Sequence, residues 1–290
     1  MQLIIVSGLS GSGKSVALDM LEDLDYYCVD NIPAGLLPGF IAYTVRTSET
    51  PYLRTAVGVD VRNRPEDLAE VPGLVSSLRR SGIGCQMIFL RADNETLLKR
   101  FSETRRRHPL SRAGIGLQEA LEQEQRLLAP LANEADLTID TSRLSVHELR
   151  ELIRERVVDR KDSGPSLLFQ SFAYRHGVPD DADFVFDARA LPNPYWDPAL
   201  RDLTGRDEAV AKFLDSETEA ARFVGDVRDF IERWLDSLVR SNRSYLTIAI
   251  GCTGGQHRSV YVAEKLAAHF SGRTGQALIR HRDLASRRHE

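Results

Sequence analysis

The stretch Gly8-Leu9-Ser10-Gly11-Ser12-Gly13-Lys14-Ser15 constrains this chain more than any other. It fits G-x-x-x-x-G-K-[ST], the phosphate-binding loop of nucleoside triphosphate binders. Before it, Leu3-Ile4-Ile5-Val6 is a short apolar run suited to a buried parallel strand. After it, Ala17, Met20, Leu21 and Leu24 recur at the spacing of one helix face. Strand, glycine loop and helix in that order make an anion cradle. Glycines let backbone N–H groups turn inward, and the helix N-terminus adds a partial positive charge on the same side. Lys14 is expected on the β- and γ-phosphates of ATP or GTP, with the Ser15 hydroxyl on a Mg²⁺ ion.

With 290 residues the chain is long enough for about two domains. Its 38 Lys and Arg stand against 42 Asp and Glu, for a net charge of −4, so nucleic-acid contact would need a local basic patch. Cys28, Cys85 and Cys252 are far apart and include no C-x-x-C pair, which points to a reducing compartment and away from structural zinc. The chain opens directly in an apolar strand, and no run approaches the roughly 18 apolar residues of a membrane span. A cytoplasmic protein is expected.

The first half alternates short apolar runs with helical patterns, as a parallel α/β sheet with helices on both faces does. Strands are expected at Leu3 to Val6, Tyr26 to Val29, Thr55 to Val61, Cys85 to Leu90 and Leu137 to Asp140. Helices are expected after the phosphate loop, near Glu66 to Arg80, from Asn94 to about Arg106, and from Leu117 to Leu131. Ser145-Val146-His147-Glu148 reads as a capping box, opening a helix with Val146, Leu149, Ile153 and Val157 on its apolar side. A polar stretch ending in Gly164-Pro165-Ser166 then breaks the pattern. It divides a nucleotide-binding domain at 1–158 from a linker at 159–166 and a second α/β domain at 167–290. There, strands at Ser166 to Phe172 and Asp183 to Asp187 precede a helix with Val224, Val227, Ile231, Trp234, Leu235 and Leu238 on one side. The apolar strand Tyr245 to Ile250, a glycine-rich turn and a helix from Ser259 to Phe270 follow.

Asp60 ends a buried strand, where phosphate-loop proteins place an acid beside Mg²⁺; an aspartate capping the next helix would look the same. Lys14, Ser15 and Asp60 are the catalytic candidates if the site hydrolyses nucleotide. Asp30 stands at another strand end, where it would orient a nucleophile or build a turn. Lys99, Arg100, Arg105, Arg106, Arg107 and Arg112 form a basic cluster. Such arginines close over a transferring phosphate, bind RNA phosphates, or end a solvated helix.

In the second half, Gly251-Cys252-Thr253-Gly254-Gly255-Gln256-His257-Arg258-Ser259 follows a strand and opens a helix. It matches C-x-x-G-x-x-R-[ST], the anion loop of cysteine-dependent phosphatases, in which a thiolate attacks phosphorus. Asp197 is the candidate acid for such a reaction; the less demanding reading, and the preferred one, is that the loop binds a phosphate or other anion without catalysis. His176 faces either that pocket or solvent. Arg273, Arg280, Arg282, Arg287 and Arg288 make the C-terminus basic, as an RNA contact or as a soluble tail.

Six stretches taken together carry a resemblance over nearly the whole chain. They are the Gly8 to Ser15 loop, Cys28 to Pro33, Asp60-Val61-Arg62-Asn63, Ser171 to Gly177, Asn193 to Trp196, and Gly251 to Ser259. In this order they resemble the RNase adapter RapZ family, also described as YvcJ-like nucleotide-binding proteins. The resemblance implies an N-terminal kinase-like domain that binds ATP or GTP with Mg²⁺ and hydrolyses it slowly. It also implies a C-terminal domain similar to a phosphofructokinase subdomain. ATP would lie on Gly8 to Ser15, with guanine nucleotide contacts at Asp60, Val61, Arg62 and Asn63. Glucosamine-6-phosphate would lie near Cys252 to Arg258 and His176. Small regulatory RNA would meet the C-terminal arginines and be presented to ribonuclease E, which controls amino-sugar synthesis. The tail departs from the enteric pattern, ending Arg287-Arg288-His289-Glu290 without lysine. A homo-oligomer is expected, because several modest basic patches then act together on one RNA. A small-molecule kinase and a cysteine phosphatase at Cys252 are the alternative readings.

Overall fold

A computed structural model describes residues 1–47, 52–104, 106–111, 115–158, 165–240, 245–271 and 276–284. The expected linker residues 159–164, together with Arg105, Arg112, Arg273, Arg287 and Arg288, lie outside the described residues. The chain forms two compact units, Met1–Asp159 and Arg160–Glu290.

In the first unit, β1 (Gln2–Gly8), β2 (Tyr27–Val29), β3 (Arg54–Gly58), β4 (Gly84–Arg91) and β5 (Leu137–Asp140) make one sheet in the order β2-β3-β1-β4-β5. Every pair is parallel. Leu3, Ile4, Ile5 and Val6 are all fully buried, so β1 shows no alternation and both sheet faces are covered. The helices are α1 (Lys14–Glu22), α2 (Leu37–Thr47), α3 (Pro65–Arg80), α4 (Asn94–Thr104), α5 (Leu117–Glu134) and α6 (Val146–Ile153). Leu3 and Ile5 join a core with Leu68, Val71, Val75 and Leu128, from the face that α3 and α5 cover. The residues between them point to the other face, where α1 packs on β1 and β3 and against α6. The chain leaves β1 for one side of the sheet and reaches β4 on the other. The phosphate loop therefore opens where the strand order reverses, at the carboxyl edge.

The second unit holds β6 (Ser166–Ala173), β7 (Phe184–Asp187), β8 (Tyr245–Cys252) and β9 (Gln276–His281), all parallel, in the order β7-β8-β6-β9. Every residue of the central strands β6 and β8 is buried. Around them lie α7 (Glu208–Asp215), α8 (Thr218–Arg240) and α9 (Arg258–Phe270).

The α/β class, the parallel sheet and the order of the long elements match the sequence reading. Three elements were not anticipated: α2, α7 and β9. Arg280 and His281 end a paired strand, where a charged tail was expected. The Ser145 capping box forms in full, but Val146 is 60% exposed, and the buried side of α6 is Leu149, Leu152 and Ile153. On α8, Val227, Ile231 and Leu235 face the core, while Trp234 is 49% exposed.

Gly205 lies against the start of α9. Its N–H donates to the Gln256 carbonyl at 2.8 Å, and an added Cβ would stand 2.3 Å from the His257 carbonyl oxygen and 2.4 Å from the Tyr261 nitrogen. Both obstacles are backbone, so a side chain there must push the helix or the loop aside. Gly205→Ala is expected to destabilise the protein by about 1–3 kcal/mol. Gly39→Ala, in α2 with open space around it, is expected to be neutral or stabilising by about 0.5–1 kcal/mol. Urea denaturation of the two variants checks this pair of expectations.

Candidate functional site

The loop from Gly8 to Ser15 forms one wall of a cavity of about 590 Å³. Asp30, Asp60, Arg62, Arg106, Arg107 and Thr141 line the remainder with others. The loop's shape is held from behind by side chains. Arg100 donates from Nη1 to the Gly11 carbonyl at 3.0 Å, and Thr141 donates from Oγ1 to the Ser12 carbonyl at 2.8 Å. Arg100 also grips the Thr141 carbonyl at 2.6 Å, and its burial pulls its pKa below the usual arginine value against nearby Asp93, Asp140 and Glu103. With both carbonyls tied back, the loop amides other than those of Leu9, Ser10 and Ser12 are left for an anion. Among the described residues, the amides of Gly11, Gly13 and Lys14 donate to no loop carbonyl. Gly13 enters α1 with φ at +104°, a left-handed conformation that side chains resist. The Ser12 hydroxyl is buried, lines the cavity and has no hydrogen-bond partner. An orphaned donor beside inward-facing amides fits an anion with several oxygens.

Lys14 reaches across this cradle to two carboxylates. Its Nζ lies 2.5 Å from Asp30 Oδ1 and 3.5 Å from Asp60 Oδ2. Asp60 is buried and accepts the Arg62 amide on Oδ1 at 3.0 Å. Lys14, Ser15, Asp30 and Asp60 are thus brought together at one cavity. The stretch expected to contact guanine nucleotide is divided. Val61 is buried in the core. Asn63 uses both ends of its amide, donating to the Asp60 carbonyl at 3.1 Å and accepting the Ala34 N–H at 2.6 Å. Arg62 stays more than half exposed at the cavity.

At the carboxyl edge of the second sheet, the Cys252 thiol is buried. Its Sγ accepts the Gly255 N–H at 3.2 Å and lies 3.1 Å from Ser259 Oγ. His257 donates from Nε2 to the Leu200 carbonyl at 3.2 Å. Arg258 Nη1 donates to the carbonyls of Arg189 at 2.8 Å and Leu191 at 3.1 Å, so this guanidinium is engaged by the turn after β7. Asp197 caps its own turn by accepting the Ala199 N–H at 2.9 Å.

His176 is half-exposed, with Nδ1 2.8 Å from Asp283 Oδ1. The other Asp283 oxygen accepts the Ala173 N–H at 2.8 Å. Burial alone would raise the Asp283 carboxyl, but the Ala173 amide, Arg282 and His176 hold it below the usual range. Arg282 is the clearest departure among the RNA candidates. Its side chain is only 7% exposed, donates to Asp283 at 3.2 Å, and bonds to the carbonyls of His176 and Gly177. It holds two loops together where a surface contact was expected. Arg280 is partly buried, with Nη1 3.4 Å from Gln170 Oε1.

Sequence reasoning missed Thr141, Glu124 and His108, which shape the phosphate loop or the segment beside it. Glu124 left one trace: it falls between Leu121 and Leu128 on the apolar stripe of α5, a position for a core residue.

Family models agree with this division of the chain. One, the RapZ-like N-terminal domain, matches residues 1–161; another, the RapZ C-terminal domain, matches residues 165–285. The chain belongs to the RapZ family. A nucleotide-binding protein of Thioalkalivibrio sulfidiphilus is 54% identical over 98% of this chain and 100% of its own length. The RNase adapter protein RapZ of Citrobacter koseri is 50% identical over 99% of this chain and 100% of its own length. A shikimate kinase from Acinetobacter baumannii is similar over 56% of this chain and 95% of its own, at 18% identity and a TM-score of 0.34.

Two outcomes are expected. The Asp30 side chain is about half exposed and pairs with Lys14, an ion pair worth about 1 kcal/mol or less that a phosphate on the loop would have to displace. Asp30→Ala should therefore tighten triphosphate binding by up to about fivefold in calorimetric titration, and weaker binding would give Asp30 a role in holding nucleotide. The second concerns His281, whose Nδ1 meets Ser171 Oγ at 2.8 Å and whose Nε2 meets Glu264 at 3.1 Å, with Arg206 beyond. Burial lowers its pKa despite Glu264. The unfolded chain then binds the proton more readily, so stability is full above the unfolded value of about 6.5 and falls as pH drops below it. His281→Gln should flatten that slope in denaturation curves taken between about pH 5 and 7.5.

Proposed function

We propose that this protein is an RNA-binding adapter of the RapZ type, with a nucleotide-binding first unit and a sugar-phosphate sensor in the second. The observation that carries this reading is near-identical length at 50% identity to the Citrobacter koseri RNase adapter. The cradle at Gly8 to Ser15, with its carbonyls tied back and an orphaned Ser12 hydroxyl, supports it independently.

In the first unit, the loop amides and Lys14 hold the phosphates of ATP or GTP, and Ser15 and Asp60 hold Mg²⁺. When bound, that ion neutralises charge on the phosphate oxygens. Lys14 must then exchange the Asp30 carboxylate for phosphate oxygen, so nucleotide occupancy changes the charge presented at the cavity mouth. Hydrolysis at Lys14, Ser15 and Asp60 is slow, and occupancy is the signal.

In the second unit, the loop Cys252, Thr253, Gly254, Gly255, Gln256, His257 and Arg258 receives glucosamine-6-phosphate with His176. The start of α9 beside this loop favours an anion there. A cysteine phosphatase is disfavoured, because Arg258 is engaged by two carbonyls and Asp197 by its own turn. RNA meets Arg280 and the arginines at 273, 287 and 288, and the small regulatory RNA is passed to ribonuclease E to control amino-sugar synthesis. The adapter acts as a homo-oligomer in the cytoplasm. Three free cysteines and the lack, among the described residues, of a helix long and apolar enough to cross a membrane favour that location.

A gel-shift titration with structured small RNAs, at two salt concentrations and with and without glucosamine-6-phosphate, tests this reading. Tight, salt-sensitive binding is expected, weakened by the sugar phosphate and lost when Arg280, Arg287 and Arg288 are replaced by alanine. Arg282 is left intact because its loss would disturb the fold. Binding no stronger than that of an unrelated acidic protein would overturn the adapter.

A further inference from the structure

Glu124 is a fully buried carboxylate on the apolar stripe of α5, where leucine would pack without desolvation. Three donors converge on it. The Ser10 amide reaches Oε2 at 2.9 Å, the Ser10 hydroxyl reaches Oε1 at 2.6 Å, and His108 Nε2 lies 3.0 Å from Oε2. His108 is fully buried too, and its tautomer follows from its other nitrogen. Nδ1 accepts the Leu110 N–H at 3.1 Å, so Nδ1 carries no hydrogen and Nε2 donates to Glu124. The imidazole also packs against Phe101, which lines the cavity beside the loop, with ring centroids 5.3 Å apart.

The two ends of this chain of contacts lie on the same cavity. Ser10 belongs to the phosphate loop, and the residues just before His108 are Arg106 and Arg107, both exposed and both lining the cavity. His108, the side chain that follows these arginines in sequence, is therefore bonded, through one carboxylate, to the loop that lines the same cavity. A buried carboxylate that serves two partners fixes both, since freeing either leaves it with an unmet charge.

We propose that Glu124 and His108 are positioning residues that hold Arg106 and Arg107 against the terminal phosphate of a nucleoside triphosphate on the loop. They thereby set the protein's preference for triphosphate over diphosphate. The inference rests on the nucleotide-binding reading of the first unit, and goes beyond it in naming what distinguishes the two nucleotide states. In this arrangement Arg106 and Arg107 supply the charge on the cavity wall, and Glu124 and His108, both fully buried, act on it only through them.

The test is calorimetric titration of the full chain with ATP and ADP, and with GTP and GDP. It compares wild type, Glu124→Gln, His108→Ala, His108→Gln, the double variant Arg106→Ala/Arg107→Ala, and that double variant combined with Glu124→Gln or with His108→Ala. Thermal melts establish that each variant is folded. Removing the two arginines is expected to cut the triphosphate-to-diphosphate affinity ratio about tenfold. His108→Ala and Glu124→Gln should cut it similarly, with no further loss when either is combined with the arginine variant. Gln at 108 keeps a donor near the Nε2 position and should restore most of the ratio. If Glu124→Gln does not fold, the His108 pair decides alone. A ratio that stays at the wild-type value in His108→Ala overturns the proposal, as does an equal loss of affinity for both nucleotides, which marks a purely structural role. Absence of nucleotide binding by wild type would instead overturn the nucleotide-binding reading, and this inference with it.

Discussion

Parallel strands deliver all their following loops to one edge, and both units of this chain depend on that constraint. In the first unit the residues after β1, β2, β3 and β5 bring the Gly8 to Ser15 loop, Asp30, Asp60 and Thr141 to a single cavity. In the second, the exits of β6, β7, β8 and β9 place His176, Arg189, Cys252 and Asp283 along one edge, with His176 bonded to Asp283. Such loops have few backbone bonds of their own. They keep their shape here because charged and hydroxyl side chains bond to their backbone: Arg100 and Thr141 on the phosphate loop, Arg258 on the turn after β7, and Arg282 on the turn after β6.

The parallel sheet was legible because buried strands write continuous apolar runs, and Leu3 to Val6 and Tyr245 to Ile250 do so plainly. The phosphate loop was legible because its glycines and lysine have a fixed spacing. What the sequence hid has physical causes. The start of α2 carries Pro38 and Gly39, residues that read as a turn, although proline is tolerated in a helix's first turn. The strand β9 ends in Arg280 and His281, and charge at an edge strand looks like a tail. Val146 satisfies helical spacing yet faces the cavity, because a capping box fixes where α6 starts but not which way it rolls.

The site was half legible for a related reason. A run of charges usually marks solvated surface, and Lys99 to Arg107 was open to that reading. Its members do separate work: Arg100 is half-buried behind the phosphate loop, while Arg106 and Arg107 line the cavity. Arg258 and Arg282 are buried likewise, with backbone carbonyls as partners. Guanidinium suits this task because its fork reaches two acceptors at once and keeps its charge when desolvated. Sequence spacing carries no record of carbonyl partners, so these roles become visible only when the loops are folded.

Asn63 carries one consequence beyond its local turn. Its amide fastens the exit of β3, at the Asp60 carbonyl, to the Ala34 amide that follows the exit of β2. The carriers of Asp30 and Asp60 are thereby linked by a strut that does not pass through Lys14. The spacing between the two carboxylates is a property of the scaffold, not of the lysine drawn between them. When that lysine turns to another anion, the acidic pair keeps its separation, and the negative field at the cavity mouth changes in strength without changing in shape.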